Sequence, residues 1–208
     1  MEFGVWLAFF TMFLAGGLTP GPAVMLVTTS SIRYGFWASM APAAGICAGN
    51  IIWVALAASG ASALAHAFPA GFTVLKIAGI AFILWLAWRT AFGEPVDLLR
   101  REPPPRSKLF VHGVGLQIAN PNALVYFGGL MPAYLNAGQD LLPQVAIILV
   151  TVTLTEMGGL IVYAAGADAL AKRFQSKTFA HWFFRIAALT MAASASFAVY
   201  STWAATGR

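Results

Sequence analysis

GGLTPGPAVML, residues 16–26, interrupts the first long apolar stretch of the chain with two prolines and three glycines. Proline lacks a backbone donor and clashes with the preceding helical turn, so a helix must stop or kink there. Thr19 can cap a helix that restarts, with Pro20 at its first position. The restarting helix offers unpaired N–H groups and the stopping helix offers unpaired carbonyls, which cannot face lipid. The stretch predicts a broken helix whose polar ends are buried against protein or line a wet cavity.

The composition around this stretch is that of a membrane protein. The 208 residues are 60% hydrophobic and 9% charged, whereas a soluble domain has about 25% charged residues. Residues 3–32, 34–75, 109–139 and 186–207 contain no Asp, Glu, Lys or Arg. A spanning helix needs only about 20 apolar residues. The sequence therefore predicts a polytopic membrane protein that lies in a lipid bilayer.

The sequence lacks the motifs of several other classes of protein. The net charge of +5 comes without a nucleic-acid-binding motif, so we expect no nucleic-acid partner. Cys47 is the only cysteine, and the three scattered histidines have no metal-ligand spacing, so we expect neither a metal nor another cofactor. There is no nucleophile–base pairing, HExxH motif or Walker motif. The sequence indicates neither an enzyme nor an ATP-driven pump.

The apolar pattern predicts an all-α fold in a single transmembrane domain, residues 1–208. Each predicted span is long enough for about 30 Å of hydrocarbon at about 1.5 Å per residue. A polar connection at 93–107, which contains a run of three prolines, joins two halves at about 1–92 and 108–208. The six spans are predicted at 3–28, 36–63, 71–92, 108–134, 142–166 and 180–203.

The positions of lysine and arginine predict the orientation of these spans. Basic residues occur in or beside the first, third and fifth connections, and the second and fourth turns have none. By the positive-inside rule the basic connections are cytoplasmic, and both termini lie on the outer side. The basic residues in or beside these three connections are Arg33, Arg89, Arg100, Arg101, Arg106, Lys108, Lys172, Arg173, Lys177 and Arg185.

The two halves of the chain contain matching helix breaks. Residues 19–22 read TPGP in the first span, and residues 120–122 read NPN in the fourth. Three spans in each half would place the second half upside down relative to the first. An inverted 3+3 repeat with Pro-broken helices 1 and 4 is a feature of secondary transporters. A structural kink remains the alternative, since neighbouring helices satisfy many proline kinks.

Two charged residues fall within predicted spans, where charges are costly and usually functional. Glu156 lies in the middle of the fifth span and cannot reach the interface. It either couples transport to protons or pairs structurally with Lys76 or another polar group. Lys76 lies near the outer end of the third span, where it either contacts a substrate or extends to the interface.

Uncharged polar residues add candidates for a binding site. Asn50, Gln117, Asn120 and Asn122 can line a cavity or form hydrogen bonds between helices, which contribute about 0.6 kcal/mol on average. A zwitterion suits a broken helix, with its carboxylate at the N–H groups and its ammonium at the carbonyls. The predicted substrate-binding residues are Thr19, Pro20, Gly21, Pro22, Asn50, Lys76, Asn120, Pro121 and Asn122, and the predicted proton-coupling residue is Glu156.

A glycine pair in the second span predicts close helix packing. Gly45 and Gly49 form a G-x-x-x-G pattern, which lets two helix backbones approach each other. We expect this packing within the chain rather than in a dimer, although a homo-oligomer remains possible.

These motifs resemble those of the lysine exporter (LysE/RhtB) family of bacterial amino-acid efflux permeases, from Phe3 to about Trp203. The TPGP motif at 19–22 is the most specific mark, and Asn120-Pro121 matches the start of the family's N-P-K motif. Glu156 resembles an acid that is common in the fifth span. The resemblance implies a secondary transporter of the bacterial inner membrane that exports an amino acid or similar small zwitterion by proton antiport.

Two positions depart from the family pattern. TPGP is frequently followed by Asp, but here by Ala23, and the lysine of N-P-K is here Asn122. Both departures remove charge from the predicted site, which affects substrate preference more than fold. The alternatives are a structural or scaffolding membrane protein and a transport-inactive relative of the family.

Overall fold

A computed structural model describes residues 1–18, 21–59, 102–120, 131–136 and 139–173 continuously, with single positions between 77 and 92, 123 and 128, and 182 and 196. Every described element is helical, which confirms the all-α prediction. Of these elements, two helices are long and apolar enough to cross a membrane, at Phe36–Ala58 and Leu141–Arg173. The elements are α1 (Phe3–Leu18), α2 (Pro22–Tyr34), α3 (Phe36–Ala58), α4 (Arg106–Ile118), a 3₁₀ turn (Met131–Tyr134) and α5 (Leu141–Arg173).

The segment predicted as the first span contains two helices, because α1 ends at Leu18 and α2 begins at Pro22. Gly21 precedes α2 with an extended backbone (φ −137°, ψ −172°) and no side-chain cap. The predicted restart at Pro20, two residues earlier, is therefore wrong. Pro22 occupies the first helical position, where its missing donor has no intrahelical acceptor to lose.

A single glycine joins α2 to α3. The second helix continues to Tyr34, beyond the predicted end of the first span at 28, and places Arg33 in its last turn. Gly35 follows with φ 87° and donates its N–H to the Ser31 carbonyl at 2.8 Å. Glycine adopts this backbone conformation readily because it has no Cβ. The chain passes directly into α3, which packs against α2.

The fourth and fifth helices differ from their predicted bounds. Arg106 begins α4, inside the connection predicted at 93–107, because the extended backbone of Pro105 (φ −47°, ψ 134°) ends only there. The end of α5 lies at Arg173 rather than at 166, so the last two basic residues of this helix do not belong to a loop. Asp168 Oδ2 and Lys172 Nζ lie 2.6 Å apart across one turn, and cations are favourable at a helix C-terminus.

Two large hydrophobic clusters lie in the described interior, beside a small one formed by Ile32, Ala167 and Ala171. Both large clusters contain residues from α3 and α5, so these helices pass from one cluster to the other. The buried residues of the first cluster are Phe9, Phe13, Trp53, Val54, Ala57, Ala123, Phe127, Met131, Ile148 and Val152. Those of the second cluster are Ala23, Val24, Val27, Ala43, Ile46, Leu116, Leu160 and Ala164.

Glycines bring α3 and α4 into backbone contact. A Cβ on Gly45 would overlap the carbonyl oxygen of Phe110, and a Cβ on Gly113 would overlap that of Pro42. A Cβ on Gly49 would lie 2.7 Å from the Gln117 Cβ. These reciprocal contacts confirm the predicted packing of the G-x-x-x-G pattern within the chain. They hold the polar residues of the two helices at a fixed separation.

Candidate functional site

A layer of polar residues separates the two hydrophobic clusters. On α3 the crossing lies between Ile46 of the second cluster and Trp53 of the first, and Asn50 lies between them. α5 crosses in the same way between Val152 and Leu160. The chain also passes from one cluster to the other between Phe13 and Ala23 and between Leu116 and Ala123, so the described residues in these intervals lie at the boundary of the two clusters. We call this set the polar layer; its described members are Gly21, Asn50, Gln117, Asn120, Thr155 and Glu156.

Three side-chain amides form a hydrogen-bonded chain on the α3–α4 side of the polar layer. Asn120 Nδ2 donates to Gln117 Oε1 at 3.1 Å, and Gln117 Nε2 donates to Asn50 Oδ1 at 2.5 Å. Trp53 Nε1 donates to the Gln117 backbone carbonyl at 3.0 Å. All three amides are buried. The chain places the predicted residues Asn50 and Asn120 in one network and adds Gln117 between them.

The Asn50 amide is only half satisfied. Its side chain is fully buried (0% exposed), and its Nδ2 has no hydrogen-bond acceptor among the described residues. An unmatched donor in a protein interior is costly in free energy, and few native interiors contain one. The donor is therefore a candidate contact for a ligand.

Glu156 belongs to the part of the polar layer where the last turn of α1 meets α5. A Cβ on Gly17 would lie 3.4 Å from the Thr155 carbonyl oxygen and 3.8 Å from the Glu156 Cα. The negative end of α1 therefore lies near this carboxyl group. Glu156 is partly exposed. The described residues include no hydrogen-bond or ion-pair partner for Glu156.

The start of α2 offers backbone donors. Among the described residues, the first backbone hydrogen bond across this start joins the Met25 N–H to the Gly21 carbonyl at 2.9 Å. The N–H groups of Ala23 and Val24 precede that bond, so they have no acceptor within the helix. The side chains of both residues are buried in the second cluster. These donors and the positive end of the helix dipole suit an anionic group.

Five predicted site residues are described and five are not. Gly21 and Pro22 form the start of α2, and the remaining three lie in the polar layer on α3, after α4 and on α5. The sequence indicates Gln117 only as a polar residue of the fourth span; its spacing of three from Asn120 is the signal for a shared helical face. The predicted residues outside the described part of the chain are Thr19, Pro20, Lys76, Pro121 and Asn122.

A separate cavity of about 520 Å³ lies between parts of the third and sixth predicted spans. Its walls are apolar apart from one arginine, and none of its lining residues belongs to the polar layer. Such walls suit a lipid chain better than a zwitterion. The lining residues are Leu84, Trp88, Ala91, Phe92, Arg185, Ala188, Leu189 and Ala192.

The fold assigns this protein to the helical membrane proteins, because the described part combines membrane-length apolar helices with a buried polar layer. The chain belongs to the LysE type translocator family, whose sequence profile matches residues 14–202. The family includes amino-acid efflux proteins.

Named relatives cover most or much of the chain. The homoserine/homoserine lactone efflux protein of Salmonella typhimurium is 29% identical over 174 residues, 82% of this chain and 84% of the relative. A cysteine/O-acetylserine efflux protein of Salmonella choleraesuis is 35% identical over 119 residues, 57% of this chain and 60% of the relative. An uncharacterized membrane protein of Vibrio cholerae is 24% identical over 179 residues, 85% of this chain and 87% of the relative. No solved structure matches the chain.

Proposed function

We propose that this protein is a secondary active transporter that exports an amino acid or similar small zwitterion from the cytoplasm. The observation that carries the proposal is the polar layer, where a buried Asn50 donor and the Glu156 carboxyl group both lack partners among the described residues. A scaffolding protein has no need for two unmatched polar groups at one level of its interior. The relatives named for efflux of homoserine and of cysteine support an amino-acid substrate.

The polar layer offers complementary ends for a zwitterion. The N–H groups of Ala23 and Val24, which have no acceptor within the helix, can donate to the substrate carboxylate at the start of α2. The negative end of α1 and the Glu156 carboxylate together favour a cation between them, which the substrate ammonium can supply. One substrate would then bridge the interruption between α1 and α2.

The proposed architecture has six spans in an inverted 3+3 repeat within one domain, with halves at 1–92 and 108–208. The interruption before Pro22 and the end of α4 at Ile118, just before the NPN motif, support breaks at corresponding points of the two halves. Thr19, Pro20, Pro121 and Asn122 would complete these breaks, and Lys76 would meet the substrate nearer the outer face. The proposed location is the bacterial inner membrane with both termini outside.

Glu156 is the proposed proton-coupling residue. A proton neutralises the carboxyl group when the site is empty, and the substrate ammonium replaces the proton when the site is loaded. Competition between proton and substrate for one carboxylate produces antiport without further groups. The partial exposure of Glu156 at the level of the polar layer supports its access to both.

The chemistry around the start of α2 favours a substrate without side-chain charge. The helix begins with Ala23 and Val24, whose side chains are apolar and buried. Glu156 is the only ionisable member of the described polar layer, and we assign it to the substrate ammonium. A charged substrate side chain would have no counter-ion among these described residues.

The experiment that tests the proposal is an efflux assay in bacteria with and without expression of the chain. Cells loaded with homoserine, cysteine or lysine should lose homoserine or cysteine faster when the chain is expressed, and lysine at the control rate. When the medium contains as much homoserine as the cells, so that efflux is uphill, Glu156→Gln should abolish the difference, and Glu102→Gln, at an exposed position, should preserve it. Unchanged efflux of every tested amino acid at normal membrane levels would support the scaffold or inactive-relative alternative.

A labelling experiment tests the proposed orientation. In a Cys47→Ser background, single cysteines replace Ala67, Ser107, Gly138 and Ser176. An impermeant thiol reagent added outside should label positions 67 and 138 only. Labelling of 107 and 176 instead would reverse the orientation, and labelling of 67 and 107 from the same side would remove the inverted repeat.

A further inference from the structure

The amide chain on the α3–α4 side has a direction. Each side-chain amide has one acceptor oxygen and one NH2 donor. Asn120 donates to Gln117, and Gln117 donates to Asn50, so every hydrogen bond in the chain points toward Asn50. Because the Asn50 oxygen is occupied, its Nδ2 is turned away from Gln117. That group is the end of the chain and has no acceptor among the described residues.

The contacts around Gln117 hold the Asn50 amide in a fixed position. The Gln117 side chain lies against Gly49, where even a Cβ would come within 2.7 Å of it. The Gln117 backbone carbonyl accepts the Trp53 indole N–H at 3.0 Å. Gly45 and Gly113 hold the two helices in backbone contact one or more turns away. A rotation of Gln117 would break hydrogen bonds at both of its amide atoms, so the Asn50 amide keeps one orientation.

We propose that Gln117 is a positioning residue that fixes the Asn50 amide, so that Asn50 Nδ2 presents one donor to an oxygen atom in the side chain of the transported molecule. The inference rests on the proposed transport function and deepens it. Hydroxyl, ester and lactone oxygens accept such a hydrogen bond, whereas ammonium and guanidinium groups do not.

The Asn50 donor is available to the side chain of the substrate, because the other two substrate groups have partners elsewhere. In the proposed binding mode, the substrate carboxylate meets the start of α2 and the ammonium meets Glu156. A site built to donate to a substrate oxygen discriminates strongly against the analogue that lacks it, because the buried donor is then left unpaired. The proposed specificity is therefore for small amino acids with a neutral oxygen acceptor in the side chain.

The test compares homoserine with 2-aminobutyrate, which is homoserine without its hydroxyl oxygen. The full chain in proteoliposomes exchanges each labelled compound, and KM and kcat are measured separately. Wild type should prefer homoserine. Asn50→Leu should raise KM for homoserine about tenfold, the effect of one lost hydrogen bond, and leave KM for 2-aminobutyrate unchanged.

Gln117→Glu tests the positioning role and keeps the proposal testable if Asn50→Leu does not fold. The introduced carboxyl group still accepts from Asn120 but cannot donate as a carboxylate, so the Asn50 Nδ2 turns toward it and away from substrate. Homoserine KM should rise as in Asn50→Leu with kcat little changed. Gln139→Glu, a matched change at an exposed position, should behave as wild type.

The outcomes separate this inference from the proposed function. Unchanged KM for both compounds in folded Asn50→Leu and Gln117→Glu variants would make the network purely structural and overturn the inference alone. An equal rise for both compounds would assign the donor to the α-carboxylate and overturn the side-chain assignment. Failure of wild type to exchange either compound would overturn the proposed function and this inference with it.

Discussion

The two sides of the polar layer differ in burial and in hydrogen bonding. On the side of α3 and α4, which we call the amide side, Asn50 and Gln117 are buried and bonded to each other at 2.5 Å. On the side of α1 and α5, the carboxyl side, Glu156 is partly exposed and has no hydrogen-bond or ion-pair partner among the described residues. The carboxyl side also contains two helix ends, since α1 ends at Leu18 and α2 begins at Pro22.

This difference assigns different tasks to the two sides. Backbone contacts between α3 and α4 hold the amide side in one conformation, which suits it to recognise one substrate shape. The end of a helix beside an unpaired carboxyl group can shift without breaking an established network. We therefore expect substrate selection on the amide side, and proton exchange and movement on the carboxyl side.

The largest effect should come from breaking the amide side at its glycine contact. A Cβ on Gly113 would overlap the Pro42 carbonyl oxygen, and a backbone atom cannot move aside as a flexible side chain can. Gly113→Ala should destabilise the protein by about 3 kcal/mol, the upper range for overpacking. The measurement is the apparent Tm and the yield of the detergent-purified protein.

Gly115→Ala is the matched control for that substitution. A Cβ at Gly115 meets nothing within 4 Å, and alanine is the better helix former by about 1 kcal/mol. The apparent Tm should stay level or rise. Equal Tm values for Gly113→Ala and Gly115→Ala would contradict the close contact of α3 and α4.

The corresponding substitution on the carboxyl side should have a smaller effect on stability. A Cβ on Gly159 would lie 2.7 Å from the Gly17 carbonyl oxygen, but α1 ends one residue later and its last turn can shift. Gly159→Ala should destabilise the protein by about 1 kcal/mol. It should lower the apparent Tm slightly and slow homoserine exchange markedly. Gly158→Ala, where a Cβ meets nothing within 4 Å, should leave exchange unchanged.

The two glycine substitutions together decide whether the sides differ in rigidity. If Gly159→Ala lowers Tm as much as Gly113→Ala does, the end of α1 is as firmly held as the α3–α4 contact. The proposed division between a fixed and a moving side would then be wrong.

The smallest effect should come from the hydrogen bond that holds the far end of α1 to α5. Trp6 Nε1 donates to Thr151 Oγ1 at 3.0 Å, and Thr151 also donates to the Ile147 carbonyl at 2.7 Å. Trp6→Phe keeps most of the aromatic packing and leaves Thr151 with a partner, so the loss should be about 0.5–1 kcal/mol. Trp37→Phe, at an exposed position, serves as the control for apparent Tm.

The sequence predicts those structural features that depend on residues close together in the chain. Long uncharged runs require helices in a bilayer, and the glycine pair at 45 and 49 requires a close helix neighbour, which the structure identifies as α4. The predicted start of α2 is two residues too early, because either proline of TPGP can occupy a first helical position. The predicted end of α5 is also too early, because basic residues terminate helices favourably as well as occurring in loops.

The pairing within the polar layer is beyond sequence reasoning. Asn50 and Gln117 are 67 residues apart, and no local pattern specifies which faces of α3 and α4 meet. The glycine contacts decide that register, and the register decides which amide atom is left without an acceptor. The sequence indicates Glu156 as a candidate without any knowledge of its neighbours, because a carboxyl group within a span is costly and usually functional.

The central claim is that export depends on proton exchange at Glu156 on the carboxyl side, and Glu156→Gln tests it most directly. The variant chain is reconstituted in proteoliposomes and assayed for homoserine exchange at equal pH and for uphill homoserine movement under an imposed pH gradient. Glutamine mimics the protonated acid and keeps the other substrate contacts, so exchange should persist with a raised KM for homoserine and uphill movement should be lost. Homoserine accumulation against its gradient by Glu156→Gln, with only the pH difference as driving force, would contradict the account.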